Sequence, residues 1–259
     1  MSLLAKAMLA GKGLPDVLVI DFHVHLASKW NTMNVPVCDS DEMLRLAKGA
    51  GVDALVVNGC IWPDLHQAND MVGALLARNR GKVVGLAALN PHQMDMTAEA
   101  HRCFDELGMR GVKLHIMHQT YHSPRPFSSY GREWERLFAY LSERRAPVLY
   151  HGFVTEEMIS AWPDVPFVCA HGVGDVSGME RLARYPNFHV DTAATQNVAG
   201  CVDVAVGLLD PERVLWGTDA PLDDFAQRLG VVLDSHLEEP ALRQVLGRNA
   251  ARLLGLPAR

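Results

Sequence analysis

The chain has 259 residues, of which 49% are hydrophobic and 21% charged, with a formal net charge of −6. That is ample apolar material for a large core, and the acidic balance argues against nucleic acid as a partner. No apolar run approaches the roughly 20 residues that span a bilayer. The 5 cysteines (Cys38, Cys60, Cys103, Cys169, Cys201) are odd in number and far apart, as expected of reduced thiols in a cytoplasmic protein rather than a disulfide frame.

The stretch Ser2 to Gly13 has leucines and a methionine interrupted by Lys6 and Lys12, which predicts a short amphipathic helix and not a secretory leader. Strands are predicted over Val17–Leu26, Ala54–Gly59, Val83–Ala88, Gly111–Ile116, Val148–Gly152, Phe167–His171, Phe188–Asp191 and Val214–Thr218. Amphipathic helical patterns lie between them. Asp41–Ala50 opens after the N-cap candidate Ser40, followed by Leu65–Arg78 and Thr97–Leu107. In Glu133–Leu141 the residues Trp134, Leu137, Phe138 and Leu141 share one face, a stripe that reads as core packing. Glu156–Trp162, Gly178–Arg184 and Val202–Leu209 continue the alternation. Pro240 to Leu256 closes it as a helix ending at Gly255, with Pro257 beyond.

Strand-then-helix units repeated in this way predict a parallel sheet closed as a (β/α)8 TIM barrel, an α/β fold, with residues 1–259 as a single domain. An open doubly wound sheet is the runner-up, but no glycine-rich phosphate fingerprint follows the first strand. In a barrel the chemistry sits at the C-terminal strand ends. The unusual polar residues fall there.

The first strand ends in His23-Val24-His25. Side chains two apart on a strand point the same way, so both imidazoles can reach one point, a natural start for a divalent metal site. Asp21 has the same parity and is expected to orient one imidazole by accepting its other ring N–H. Strand four ends in Lys113-Leu114-His115, with Lys113 and His115 on one side and Val112 and Leu114 toward the helices. Strand five ends at His151, strand six at His171 and strand eight runs into Asp219. Singly, each histidine is as well explained by a hydrogen-bonded structural role, and Asp219 by a turn or N-cap. Together on one mouth they supply imidazoles and a carboxylate around an open position, the ligand type of a catalytic zinc or similar site.

These residues carry a resemblance. Asp-Phe-His-Val-His at the first strand, Gly-Val-Lys-Leu-His at the fourth, His151 and His171 before glycines, and Trp-Gly-Thr-Asp-Ala-Pro at the eighth resemble the amidohydrolase superfamily. The closing Asn249-Ala-Ala-Arg-Leu-Leu-Gly-Leu is similar to the final helix of the amidohydrolase-related branch that includes aminocarboxymuconate-semialdehyde decarboxylase and lactone hydrolases. The resemblance covers Val17 to Leu256. It implies that His23, His25, His151 and Asp219 are metal ligands, with His171 either holding a second metal or acting on substrate and water. It leaves Lys113 open. In dihydroorotase-like members a strand-four lysine is carbamylated and bridges two metals, whereas the amidohydrolase-related branch is usually mononuclear. One Zn2+ is favoured here, with two ions and a carbamylated Lys113 as the alternative.

The expected function is a metal-dependent hydrolase that acts on a small carboxylated lactone, amide or ester through a metal-activated water. In it Asp219 moves the proton and His171 stabilises the oxyanion or serves as the acid. The second class is a lyase, a decarboxylase or hydratase of a muconate-like or aromatic acid; the third is a non-catalytic metal-binding scaffold. Both histidines of the first-strand pair are present, which tilts toward hydrolysis. His115, His118, Tyr121 and Arg125, with His122 and Arg132 nearby, are candidates for an anion-binding rim, and Trp30 and Trp62 for an apolar wall. The expected partner is a small anionic substrate, with no nucleic acid and no membrane; a homo-oligomer is left open.

Overall fold

The structure, a computed structural model, describes residues 16–26, 39–115, 131–152, 154–194 and 199–257. Eight parallel strands pair in chain order: β1 (Ile20–His25), β2 (Ala54–Asn58), β3 (Val83–Ala88), β4 (Gly111–His115), β5 (Val148–His151), β6 (Phe167–Cys169), β7 (Phe188–Asp191) and β8 (Val214–Leu215). The sheet closes on itself after β8. Phe22 N–H donates to Trp216 O at 2.9 Å, Asp219 N–H to His23 O at 2.8 Å, and His25 N–H to Ala220 O at 2.8 Å. The expected (β/α)8 barrel is therefore the observed fold, with each strand within a few residues of its predicted span.

The helices are α1 (Ser40–Gly49), α2 (Leu65–Arg78), α3 (Met96–Asp105), α4 (Gly131–Arg144), α5 (Glu156–Ala161), α6 (Val176–Leu182), α7 (Cys201–Leu209), α8 (Phe225–Leu233), α9 (Glu239–Arg243) and α10 (Asn249–Leu254). Aspartates cap many of them. Asp39, not Ser40, is the N-cap of α1, its carboxylate accepting from Glu42 N–H at 2.7 Å. The α4 stripe of Trp134, Leu137, Phe138 and Leu141 is buried as expected. Helix α8 was not foreseen. Its Phe225, Leu229, Val232 and Leu233 do fall at helical spacing and are buried.

Two packing layers follow from strand alternation. Outward residues such as Val57, Val112, Leu114, Val148 and Val190 pack against the helices. Inward residues, among them Ile20, Phe22, Val56, Leu86, Leu149, Val168 and Leu215, fill the barrel and meet Ala250, Ala251 and Leu254 of α10, which plugs the N-terminal end. The predicted single C-terminal helix is interrupted there by one π turn, Gln244–Arg248. The Val245 carbonyl accepts from Trp216 N–H at 2.9 Å, and a Cβ on Gly247 would lie 2.3 Å from Leu18 O. The helix is thus seated directly against the barrel floor, and the turn widens where it touches. With the floor closed by apolar packing, the opposite mouth is left for polar groups. The predicted Ser2–Gly13 helix, Trp30 and Cys38 lie outside the described residues. Among the described residues no helix is long and apolar enough to cross a membrane.

Candidate metal centre and active site

The C-terminal strand ends converge on a buried polar cluster. His23 and His25 are both inaccessible, with ring centroids 5.1 Å apart. Their Nε2 atoms approach one carboxylate oxygen, Asp219 Oδ1, at 3.2 and 2.8 Å respectively. The expected parity of His23 and His25 is therefore realised. Asp219 reaches the pair from beyond β8 because its backbone is left-handed, φ 69°, and its N–H is held by His23 O. Gly217 allows this approach, since a Cβ there would sit 2.9 Å from His23 Cβ.

Asp21 behaves differently from expectation. The β1–β2 register shifts between Asp21 and Val24, and the irregularity leaves backbone N–H groups for side chains to satisfy. Asp21 Oδ1 accepts from His23 N–H and from Thr218 N–H, both at 3.0 Å, while Oδ2 accepts the Thr218 hydroxyl at 2.6 Å. It clamps β1 to the end of β8 and touches no ring. Burial pushes its pKa up to about 7 against these hydrogen bonds.

The ring N–H of His23 goes instead to Asp191, the last residue of β7, whose Oδ2 is 2.8 Å from Nδ1. Asp191 was not singled out from sequence, although it ends its strand just as His151 ends β5. Lys113 is fully buried with Nζ 2.9 Å from His23 Nε2, and burial lowers its pKa. The inward direction expected for Lys113 holds. Burial, reinforced by Lys113, also holds the His23 pKa well below its ordinary value, so the ring is neutral. At His25 burial opposes the charged form, but Cys60 and Asp219 outweigh it and raise the pKa to about 9. Cys60, whose Sγ is 3.5 Å from His25 Nδ1, is the second neighbour that the sequence did not reveal. Asp219 is held well below the usual carboxylate range: burial works against ionisation and the imidazoles of His23 and His25 overcome it.

His171 occupies a left-handed position, φ 59°, and donates from Nδ1 to Ala193 O at 2.8 Å. Its ring lies 5.2 Å from that of His23 and 4.8 Å from that of His151. Left-handed backbone at a non-glycine residue costs on the order of 1 kcal/mol or more and gathers at functional sites; here it marks the ends of both β6 and β8. His151 pairs with His115 across the β4–β5 register, Nδ1 to Nε2 at 3.1 Å. Burial, with His171 and Lys113 adding to it, lowers the His151 pKa to about 4.

Donor atoms of His23, His25 and Asp219 lie within 4.8 Å of one another, and a second such group joins His23, His171 and Asp191. Two neutralisable imidazoles and an ionised carboxylate converging on one buried point fit a divalent cation, and Asp191 on the far nitrogen of His23 is the outer-shell partner that such a ligand needs. His151 stands beside this cluster through His171 and is not one of its grouped atoms. His115 is buried at 5% exposure against His151. His118, Tyr121, His122 and Arg125 lie outside the described residues, and Arg132 sits on α4.

The family model described as amidohydrolase matches residues 20–256. The chain belongs to the amidohydrolase family. No curated protein sequence matches it. Among solved structures this amidohydrolase is similar to 5-carboxyvanillate decarboxylase from Sphingomonas paucimobilis, at 14% identity and TM-score 0.73 over 93% of this chain and 100% of that one. It is also similar to a dihydroxybenzoic acid decarboxylase from Polaromonas with bound manganese and 2-nitroresorcinol, at 17% identity and TM-score 0.75 over 94% and 98%. A third is 4-oxalomesaconate hydratase from Rhodopseudomonas palustris, at 15% identity and TM-score 0.69 over 92% and 96%. At such identities the likeness is one of fold.

Proposed function

We propose that this amidohydrolase is a metal-dependent lyase that decarboxylates a small hydroxylated aromatic or muconate-like acid. The observation that carries this reading is the whole-barrel likeness to decarboxylases and a hydratase that act on such acids. It ranks the lyase, second among the sequence expectations, above the hydrolase.

His23, His25 and Asp219, with His151 completing the set, would hold the ion, zinc or manganese. When bound, the ion supplies positive charge that fixes and polarises the oxygens of the substrate. The remaining steps fall to the protein. Lys113, inward and buried, offers the substrate carboxylate a cationic partner once protonated. Cleavage of the C–C bond releases CO2 and leaves its electron pair on the ring or chain carbon. Asp219, ionised as it stands, would first take up a proton from solvent and then, with His171 as the other carrier, deliver it to that position. His171, tied through Nδ1 to the Ala193 carbonyl, keeps Nε2 directed at the cluster for this purpose. His115 at the end of β4, with His118, Tyr121 and Arg125 further along the sequence, is proposed to bind the far end of the acid.

A hydrolase remains the second reading, favoured by the intact histidine pair flanking Asp219, which suits a carboxylate that takes a proton from water. The two separate on one panel. Protein loaded with Zn2+ or Mn2+ is offered hydroxybenzoates, muconate-like acids and lactones, with CO2 release and ring opening followed in parallel. CO2 release, with deuterium from solvent placed at the vacated carbon, is expected. Lactone opening without any CO2 would overturn the lyase.

A further inference from the structure

Asp191 is the last residue of β7 and is fully buried, yet none of the steps above uses it. Its two oxygens have different tasks. Oδ2 faces His23 Nδ1 at 2.8 Å. Oδ1 accepts two backbone N–H groups, from His171 at 2.7 Å and from Ala193 at 3.1 Å. The His171 N–H needs such an acceptor because its left-handed backbone takes it out of the strand ladder. The Ala193 carbonyl then receives the His171 ring N–H at 2.8 Å. A chain of contacts thus runs from the His23 ring through one carboxylate and one peptide to the His171 ring.

We propose that Asp191 is a positioning residue that fixes the tautomer of His23 and the left-handed turn at His171 together, so that one carboxylate aims both Nε2 atoms into the site. This rests on His23 being a ligand of the ion. Two observations agree on the tautomer. A carboxylate at Nδ1 can only accept there, which puts the proton on Nδ1. Lys113 Nζ, a donor, lies 2.9 Å from Nε2, nearer than Asp219 Oδ1 at 3.2 Å, an oxygen that His25 Nε2 already engages at 2.8 Å; Nε2 of His23 therefore carries the lone pair. That lone pair is what a cation needs. The three Asp21 donors are two backbone amides and a hydroxyl, so Asp21 cannot do this.

Asp191→Asn tests the assignment because it keeps the shape. The amide oxygen can still receive the His171 and Ala193 N–H groups, while its NH2 faces His23 Nδ1. Donor then meets donor unless the proton moves to Nε2, the nitrogen turned toward the ion. Metal-free wild type, read by long-range 1H–15N correlation and assigned with His23→Ala, is expected to show His23 as the Nδ1–H tautomer. Asp191→Asn is expected to show Nε2–H and to bind Co2+ about 10–100-fold more weakly in chelator competition. Its metal-free melting temperature should stay within a few degrees of wild type, which a purely structural role would not combine with a changed tautomer. An unchanged tautomer and an unchanged Co2+ affinity in Asp191→Asn would overturn the proposal. So would an Nε2–H tautomer in wild type, a measurement that holds even if the variant fails to fold. Unchanged Co2+ affinity in His23→Ala would instead remove His23 from the ligand set, and the wild-type tautomer would still decide what Asp191 does.

Discussion

Gly217→Ala is the sharpest test of how tightly the site is tied to barrel closure. The added Cβ would fall 2.9 Å from His23 Cβ, with Ala193 Cβ and His23 N each at 3.4 Å. Carbon atoms pack best at about 3.5–4.0 Å, so β1 and the segment after β8 must separate by roughly 0.6–1.1 Å. Little can yield. Hydrogen bonds from Phe22 to Trp216 O and from Asp219 to His23 O bracket the position at 2.9 and 2.8 Å. Gly217 N–H is itself held by the Thr192 hydroxyl at 3.1 Å. Overpacking of this kind costs about 1–3 kcal/mol. For a chain of this size that lowers the melting temperature by about 2–12 °C. Because the clash is with a proposed metal ligand, Co2+ affinity should fall as well, by about tenfold or more. The control is Gly230→Ala in α8, where a Cβ meets nothing within 4 Å. There alanine should raise stability by about 0.5–1 kcal/mol. Scanning calorimetry and chelator competition read both variants. A Gly217→Ala protein with wild-type melting and wild-type Co2+ affinity would refute the close approach.

Asp219→Asn should lower turnover by about 10² or more while the histidine pair keeps most of the metal; a wild-type rate would contradict the proposed proton path. His171→Asn should lower turnover and leave metal content, measured by plasma mass spectrometry, near that of wild type. Loss of half the metal would mean that His171 holds a second ion, and a carbamylated Lys113 would then be the better account. Asp21 supplies a pH signature in metal-free protein. Its folded pKa is near 7, against 3.8 for the ordinary carboxyl, so the unfolded chain releases that proton first. Stability is full below about pH 4, falls as pH rises toward 7 and then levels, by at most about 4 kcal/mol. Urea titrations of Asp21→Asn should show that slope flattened, and an undiminished slope would place its origin elsewhere. Removing metal with a chelator should lower the melting temperature by about 5–10 °C relative to protein held at 100 times the dissociation constant.

The barrel was legible because its strands are short apolar runs whose ends carry the polar residues, so one rule, chemistry at C-terminal strand ends, located His23, His25, Lys113, His151, His171 and Asp219 together. The same rule applied to β7, predicted to end at Asp191, points to that residue as well. Asp21 shows the limit of parity. It has the sequence parity of His23, but Ile20 and Phe22 on either side of it point inward and the register shifts between Asp21 and Val24, so Asp21 turns to backbone amides instead; a two-residue period cannot forecast a bulge. Cys60 reads from sequence only as a reduced thiol, because nothing local brings a residue two positions beyond β2 to His25. Helix α8 escapes a sequence reading for a local reason: Gln227, Arg228 and Gly230 interrupt its nine residues, and its four buried apolar residues, Phe225, Leu229, Val232 and Leu233, read as easily as the anchors of a loop. The π turn arises from contact between distant segments, Val245 with Trp216 and Gly247 with Leu18, and has no local signature.

Closure and chemistry share atoms in this barrel. Strand β8 is only Val214–Leu215, too short to pair with β1 along its length. The seam is completed beyond it by Trp216 O, Asp219 N–H and Ala220 O, and by the Asp21 carboxylate bound to Thr218. The segment that carries Asp219 is thus held in place by the same bonds that finish the sheet. That explains why a carboxyl as costly to bury as Asp21 is tolerated. Its three donors offset much of the desolvation, and removing it would loosen both the seam and the distance between Asp219 and the histidines. On the other side of His23, Asp191 ties β7 to the turn after β6 in the same manner. His23 therefore stands between two buried carboxylates with opposite duties, Asp21 on its backbone and Asp191 on its ring. As the proposed ligand, His23 is clamped at both levels, backbone and ring, so the geometry it would offer an ion is set by the barrel itself.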